Sequence, residues 1–594
     1  MAERTGGTGV WRGPQALAAV AVLVVGLVWR SALTQGSFFN QDDYYLTSRA
    51  YTAHLTWRFL FSPVAGHVQP AQQLSYWAVA HAIPFNWPAI AFLLIAAQAI
   101  AALVMWHLLT RLLPDRWARV PLLAVLVWSP LTLATSLWWS AAMGLWPVVL
   151  CTLVAVLLLV RAHQGAGRRW ANLLGCVLAV IVGLLWHERA VIIAPLLMGV
   201  AIVLSEAVGW RRVPDAIRSG WQLWLGLAAL LAGYLVLHTS ITSVGGKGTN
   251  LTGYLGISWN FVAENVVPGL ASGPWSGHVD GGAVVPDVWM VVAALLGTAL
   301  LAAALVRGGG SRARWALIVL TGYVLADLVL LLSGRAGYGS IIGQDPRYSA
   351  DIVPVAVLCI ALALGDVRAD LLASRARPWA TQRRLAVGGV LGAYLVGSML
   401  GTAVLLPQFQ NKLDRVYVTN LRAALAADPQ QVLLDEPVPA EILLPLLGKE
   451  AMLSQVFRPL PGHPLFDAPS PELRQVDANG HLHEPVLSYP TQMRPGPVTS
   501  CGYAVTGRPT TIRLEQPVTG RAVVRVGYFT DTEVDIAVSA SGWKSEFHAN
   551  PGPNVVWLVV PDLGGPLSQL VLTTTASSSA TVCIPSLEAG WPFQ

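Results

Sequence analysis

The 594-residue chain is 54% hydrophobic and only 12% charged, with a mean hydropathy of +0.55. That balance excludes a water-soluble globular protein of this size and makes the bilayer the solvent for most of the chain. The net charge of +6 and isoelectric point near 9.1 do not mark a nucleic-acid partner, because the basic residues are mostly arginines in short clusters between apolar runs, where they set membrane topology.

Apolar stretches of spanning or near-spanning length lie at 14–33, 88–110, 120–138, 146–160, 171–186, 190–205, 221–238, 287–306, 315–333, 350–365 and 385–405, which predicts a polytopic α-helical membrane protein of about eleven transmembrane helices. No small-residue cleavage motif follows the first stretch, so it is expected to remain as a span. Arginines gather in every second loop: Arg4 and Arg12; Arg111, Arg116 and Arg119; Arg161, Arg168 and Arg169; Arg211, Arg212 and Arg218; Arg307, Arg312 and Arg314; and Arg368, Arg375, Arg377, Arg383 and Arg384. These loops face the cytoplasm, with the N-terminus inside and the C-terminal segment outside. Arg30 and Arg189 break the rule, which predicts that they snorkel or have a job.

The first outer loop carries Asn40, Gln41, Asp42 and Asp43, then Tyr44, Ser48, Tyr51, Leu55 and Phe59 on one helical stripe, expected as an amphipathic helix on the membrane. One Asp has a plain explanation as a helix cap. A second carboxylate at the lipid rim calls for chemistry. His67 and Gln69 follow in the same loop. A tight hairpin between two spans packs His187, Glu188 and Arg189, either a self-neutralising helix end or a contact for an anionic headgroup.

The outer loop 239–286 holds Gly245, Gly246, Lys247, Gly248 and Thr249, but it is not a P-loop: Ile241 stands at the leading glycine position and Gly248 follows the lysine. A surface helix is expected over 257–267. Asp327, inside a span, requires a cation such as Arg335, or a polar cavity. The next outer loop brings Arg335, Tyr338, Arg347 and Tyr348 to the surface, and guanidinium forks suit phosphate oxygens.

Three domains are expected: a transmembrane catalytic domain at 1–406, an extracytoplasmic mixed α/β connecting region at 407–499, and an all-β, jelly-roll-like sandwich at 500–594. Period-two patterning in Ala522, Val524, Val526 and Tyr528, repeated in Val534, Ile536 and Val538, supports the sandwich. Cys501 and Cys583 bracket it on the oxidising side, and a disulfide between them is expected.

The inside N-terminus, the Asp42–Asp43 pair in the first outer loop, amphipathic outer-loop helices and a C-terminal outer domain resemble the C-type (GT-C) glycosyltransferase superfamily over about the first 405 residues. The arginine- and alanine-rich composition also looks like that of an actinobacterial cell-envelope enzyme. The resemblance implies a multi-pass protein of a bacterial plasma membrane that moves sugar from a polyprenyl-phosphate donor lipid to a cell-envelope glycan, with inversion. It further implies that a first-loop acid, Asp42 or Asp43, acts as base, sometimes beside a divalent metal, Mg or Mn, for which Asp43 is the candidate ligand. The choice falls narrowly on Asp42 as base.

Arg189, Arg347, His187 and Arg335 would then stabilise the donor phosphate, while His67, Gln69, Glu188, Tyr338 and Tyr348 contact substrate. The sandwich resembles carbohydrate-binding modules, with Trp543, Tyr528, Phe529 and Trp557 as candidate glycan contacts, although Trp557 reads as core. Two other readings remain: a glycan polymerase or ligase using a lipid-diphosphate donor, in which Arg and His carry the chemistry, and a transporter or flippase for lipid-linked sugar. The second lacks a clear internal repeat.

Overall fold

The computed structural model describes residues 13–114, 116–242, 248–365, 377–460, 462, 464–575 and 580–593, with backbone alone for 377–387. Arg4, Arg12, Gly245, Gly246, Lys247, Arg368 and Arg375 lie outside the described residues. The chain forms two compact units, Met1–Lys412 and Leu413–Gln594.

The first unit is helical and polytopic. Among the described residues, eight helices are long and apolar enough to cross a membrane: Pro14–Gln35, Trp87–Leu112, Arg119–Ser136, Trp139–His163, Arg169–Trp186, Trp221–Ile241, Val288–Tyr338 and Gly388–Phe409. The 51-residue member is two apolar segments joined at Gly310. There φ is 56° and ψ is −132°, a conformation that a β-carbon would oppose. Every apolar stretch read from the sequence falls mainly in helical segments, the one at 120–138 divided between two.

Two of those helices are short, Ile193–Leu204 with 12 residues and Ile352–Leu364 with 13. At about 1.5 Å per residue each reaches roughly 20 Å, less than the ~30 Å hydrocarbon core. In both, the stretch just before the helix is wound as 3-10 turns, Glu188–Ile192 and Pro346–Tyr348, and those turns carry the polar residues of the candidate site.

The buried arginine of the first span explains a break elsewhere. Pro130 supplies no N–H and forces Ser129 into an extended conformation, so the helix Arg119–Trp128 stops and Pro130–Ser136 starts anew. Arg30, 1% exposed, fills the gap. Its Nε donates to Val127 O at 2.5 Å, one terminal nitrogen to Gln98 Oε1 at 2.8 Å, and the other to Ser129 O at 2.8 Å and Thr132 Oγ1 at 2.6 Å. Arg30 therefore does not snorkel; it caps the carbonyl end of a broken helix.

The first loop departs from the expected amphipathic helix. A helix covers Asp42–Thr52, the chain turns, and a second short helix runs over Trp57–Leu60, capped by Thr56 Oγ1 accepting from Phe59 N at 3.2 Å. The stripe is interrupted before Leu55, and Tyr44 and Ser48 are buried against protein. The surface helix expected over 257–267 is Leu251–Trp259 followed by a π-helical turn, Asn260–Val266, in which Phe261, Asn265 and Val266 are buried.

The second unit begins with helix Lys412–Ala427 and a small sheet, in which Val432–Leu433 pairs in parallel with Leu465–Phe466 and with Leu473–Val476, and the last pairs antiparallel with Leu482–His483. The β-sandwich follows. One sheet runs Gly552–Val560, Ala522–Thr530, Val582–Pro592, Leu487–Gln492, with Tyr503–Val505 added to the third strand; the other runs Trp543–Ala549, Val534–Ala540, Leu567–Thr574, Thr510–Val518. Ala522, Val524, Val526 and Tyr528 point into the shared core with Ile536, Val538, Leu570 and Leu572, as period-two patterning requires. The strand Leu487–Gln492 belongs to the sandwich, so the sandwich takes in residues before the sequence-drawn boundary at 500. Cys501 and Cys583 form the expected disulfide.

Candidate active site

Adjacent in sequence, Asp42 and Asp43 stand in opposite environments. Asp43 is 0% exposed. Its Oδ2 accepts from Asn40 N at 3.0 Å, closing the start of the helix, and its Oδ1 accepts from Ser140 N at 2.8 Å and Tyr76 Oη at 3.1 Å. Ser140 lies in the first turn of Trp139–His163, where backbone N–H groups have no partner within the helix. Tyr76 and Gln72, four residues apart on Pro70–Ala82, share a helix face, and Gln72 Nε2 donates to Ser140 O at 3.0 Å. Asp43 thus ties three elements together. Burial pushes its carboxyl up to about 7 against the lowering effect of those hydrogen bonds, and the neighbouring Asp42 adds to the rise.

Asp42 is exposed to solvent yet lies in a recess. Among the described residues its carboxylate has no hydrogen-bond partner. Desolvation raises its pKa, and the Arg347 and Arg335 guanidinium groups, near enough to act on it, pull the other way. The result is a reachable carboxylate of raised basicity facing cations, the arrangement a general base needs.

His67 closes a two-residue turn in which Val64 N donates to His67 O at 3.0 Å and His67 N to Val64 O at 2.9 Å. Its imidazole bridges two elements. Arg335 donates to Nε2 at 2.5 Å, and Nδ1 meets Glu188 Oε1 in a short hydrogen bond. A guanidinium only donates, so Nε2 is the acceptor and Nδ1 carries the hydrogen. His187 turns inward: its Nδ1 accepts from Arg189 N at 3.1 Å, and burial pushes the ring down to about 4. Desolvation thus favours its uncharged form.

Arg189 is committed to protein. It donates to Asp351 Oδ1 at 2.7 Å, Arg347 O at 3.3 Å and Tyr348 O at 3.2 Å, and pairs with Asp327 at 3.3 Å. Asp327 accordingly takes Arg189, not Arg335, as its cation. Arg347 is held by Asp345, whose carboxylate receives Nε at 2.8 Å and also the terminal nitrogen, and its guanidinium stacks on Trp138 with the carbon 3.9 Å from the ring centre. The other terminal nitrogen forms no hydrogen bond among the described residues. Of the candidate cations His187, Arg189, Arg335 and Arg347, the last two therefore keep donor capacity for a ligand.

Tyr338 is 65% exposed beneath Arg335, at 5.6 Å. Tyr348 lies 5.7 Å from the Arg347 guanidinium. Gln69 is half-buried just before Pro70–Ala82, and its side chain makes no hydrogen bond among the described residues. Tyr76, Gln72, Trp138 and Ser140 were not singled out in the sequence; the only signal for the first two was a polar pair at helical spacing. As for a divalent metal, Asp43 does not fit as its ligand, since both carboxylate oxygens are engaged by hydrogen-bond donors in a fully buried setting. In the sandwich, Tyr528 and Trp557 are core residues and Trp543 packs partly against the core, whereas Phe529 is 42% exposed.

No family model matches the chain, and no curated protein matches its sequence. Two solved structures, cryo-EM classes of a mutant of arabinofuranosyltransferase AftD from mycobacteria, align at 12% identity with TM-scores of 0.35 and 0.36. The alignments cover 96% and 97% of this chain and 61% of each of those chains, so the chain spans less than two thirds of their length.

Proposed function

We propose that the chain is a membrane glycosyltransferase that moves a sugar from a polyprenyl-phosphate donor to a cell-envelope glycan on the extracytoplasmic side, with Asp42 as base. The observation that carries this reading is the division within the acidic pair: Asp43 is buried and fully hydrogen-bonded, while Asp42 is reachable and faces Arg347, Arg335 and His67. In the reaction, Asp42 takes the proton of an acceptor hydroxyl, whose oxygen attacks the anomeric carbon as the bond from that carbon to the phosphate oxygen breaks. The electron pair leaves with the lipid phosphate, whose charge Arg347 and Arg335 stabilise. Attack opposite the leaving group inverts the anomeric centre. The Cys501–Cys583 disulfide supports an oxidising, extracytoplasmic setting for the second unit, and the exposed Phe529 is the aromatic of the four candidates best placed for glycan contact.

The test is to incubate the full chain, reconstituted in lipid, with a panel of polyprenyl-phosphate sugars and to follow release of polyprenyl phosphate. Release with at least one donor, lost in Asp42→Asn, is expected. Unchanged release in Asp42→Asn would remove Asp42 from the chemistry. Turnover only of lipid-diphosphate donors would favour the polymerase or ligase reading.

A further inference from the structure

Arg347 sits on a segment with little regular structure, the 3-10 turns Ala336–Tyr338, Ser340–Gln344 and Pro346–Tyr348. A cation that must meet a phosphate in one geometry cannot be left on a mobile turn, because small displacements cost much of its effect. Two braces hold this one. On one side Arg189 donates to the carbonyls of Arg347 and Tyr348 and is itself anchored by Asp351, whose second oxygen receives Tyr323 Oη at 2.8 Å.

On the other side stands Asn265, 4% exposed. Its Nδ2 donates to Gly343 O and to Asp345 O, both at 3.0 Å, and its Oδ1 accepts from Ser349 Oγ at 2.9 Å. Asn265 belongs to the π-helical turn Asn260–Val266, a rare winding that re-aims side chains and concentrates at functional sites. The turn Ser340–Gln344 comes so near that a β-carbon at Gly343 would lie 2.6 Å from Ile257 O and 2.8 Å from Phe261 N. Asp345, fixed through its carbonyl by Asn265, then fixes Arg347 through its carboxylate.

Resting on the reading that Arg347 receives the donor phosphate, we propose that Asn265 and Arg189 are positioning residues for that phosphate, Asn265 through Asp345 and Arg189 through the carbonyls of the Arg347 turn. Neither touches the donor. Each sets where the Arg347 guanidinium stands over Trp138.

The experiment is a double-mutant cycle on the full chain in lipid nanodiscs, with farnesyl phosphate binding as the readout. Asn265→Ala and Arg189→Gln are each combined with Arg347→Lys, which keeps a charge but lacks the fork. Asn265→Ala is expected to weaken binding about tenfold in the wild-type background and less than about twofold beside Arg347→Lys. Equal weakening in both backgrounds, as general destabilisation would give, overturns the proposal. So does unchanged binding in Asn265→Ala when Arg347→Lys alone binds poorly. Binding by Arg347→Gln that matches wild type shows instead that Arg347 does not receive the phosphate, and the proposal falls with the reading under it. Ser349→Ala, which removes the hydrogen bond to Asn265 Oδ1 and the longer one to Pro346 O at 3.4 Å, is expected to weaken binding by a smaller factor with the same background dependence.

Discussion

The hydroxyl of Tyr76 donates to Oδ1 of Asp43 at 3.1 Å, and the same oxygen takes the backbone N–H of Ser140 at 2.8 Å. That pair of bonds fixes one member of the acidic doublet as scaffold and leaves the other exposed to solvent and facing Arg347 and Arg335.

The two aspartates should therefore fail in different ways. Asp42→Asn is expected to leave thermal stability unchanged and to reduce sugar transfer by about 10²-fold or more. Asp43→Asn places an amide donor or a weaker acceptor against donors that include two backbone N–H groups, and should cost about 1–3 kcal/mol of stability. Thermal unfolding measured alongside turnover separates the two; equal stability loss in both would contradict the division.

Asp43 should also leave a signature in the pH dependence of stability. Its folded carboxyl titrates near 7, above the ordinary value of 3.8, so the folded state binds the proton more tightly than the unfolded one. The associated stabilisation is full below about pH 4 and is lost as pH rises through 7. Between those limits wild type should lose Tm relative to Asp43→Asn, whose side chain does not titrate. Parallel Tm profiles for the two proteins would refute the assignment.

The acidic limb of the transfer rate should follow Asp42. Burial raises that limb above its ordinary position, and the Arg347 and Arg335 guanidinium groups hold it down. Arg335→Gln removes one of those cations, so the limb should move to higher pH. A shift to lower pH, read from kcat/KM profiles, would mean that another group sets it.

Arg30→Leu should unfold the membrane unit more easily, by about 3 kcal/mol, because Val127 O, Ser129 O and Gln98 lose their donor in a buried setting. Arg30→Lys should recover part of the loss, since one ammonium reaches fewer of the four acceptors. Detergent-solubilised melting curves test both.

Cys501→Ser should destabilise the second unit by about 4 kcal/mol on the chain-entropy account, for a disulfide that joins residues 82 apart. Urea unfolding followed by limited proteolysis of the sandwich gives the measurement.

Much of the architecture was legible in the sequence, because the bilayer imposes a length and an apolarity that can be read in one dimension. The apolar stretches, the alternation in Ala522–Thr530 and the pairing of Cys501 with Cys583 all depend on local period or on compartment. The site was legible only as an inventory. Asp42, Asp43, His67, Glu188, Arg189, Arg335 and Arg347 could be named, since ionisable groups beside lipid are costly and call for a reason. Their roles could not. Whether a carboxylate is sealed or reachable depends on groups far along the chain: Tyr76 and Ser140 close over Asp43, while among the described residues the Asp42 carboxylate takes no hydrogen bond and stays exposed. Likewise Arg189 and Arg347 look alike in sequence, but Asp351 and Asp327 draw the first inward and Trp138 supports the second facing the recess. Hydrogen bonding and charge pairing are satisfied in three dimensions by whichever partner the fold brings near, and that choice was made by the tertiary structure alone.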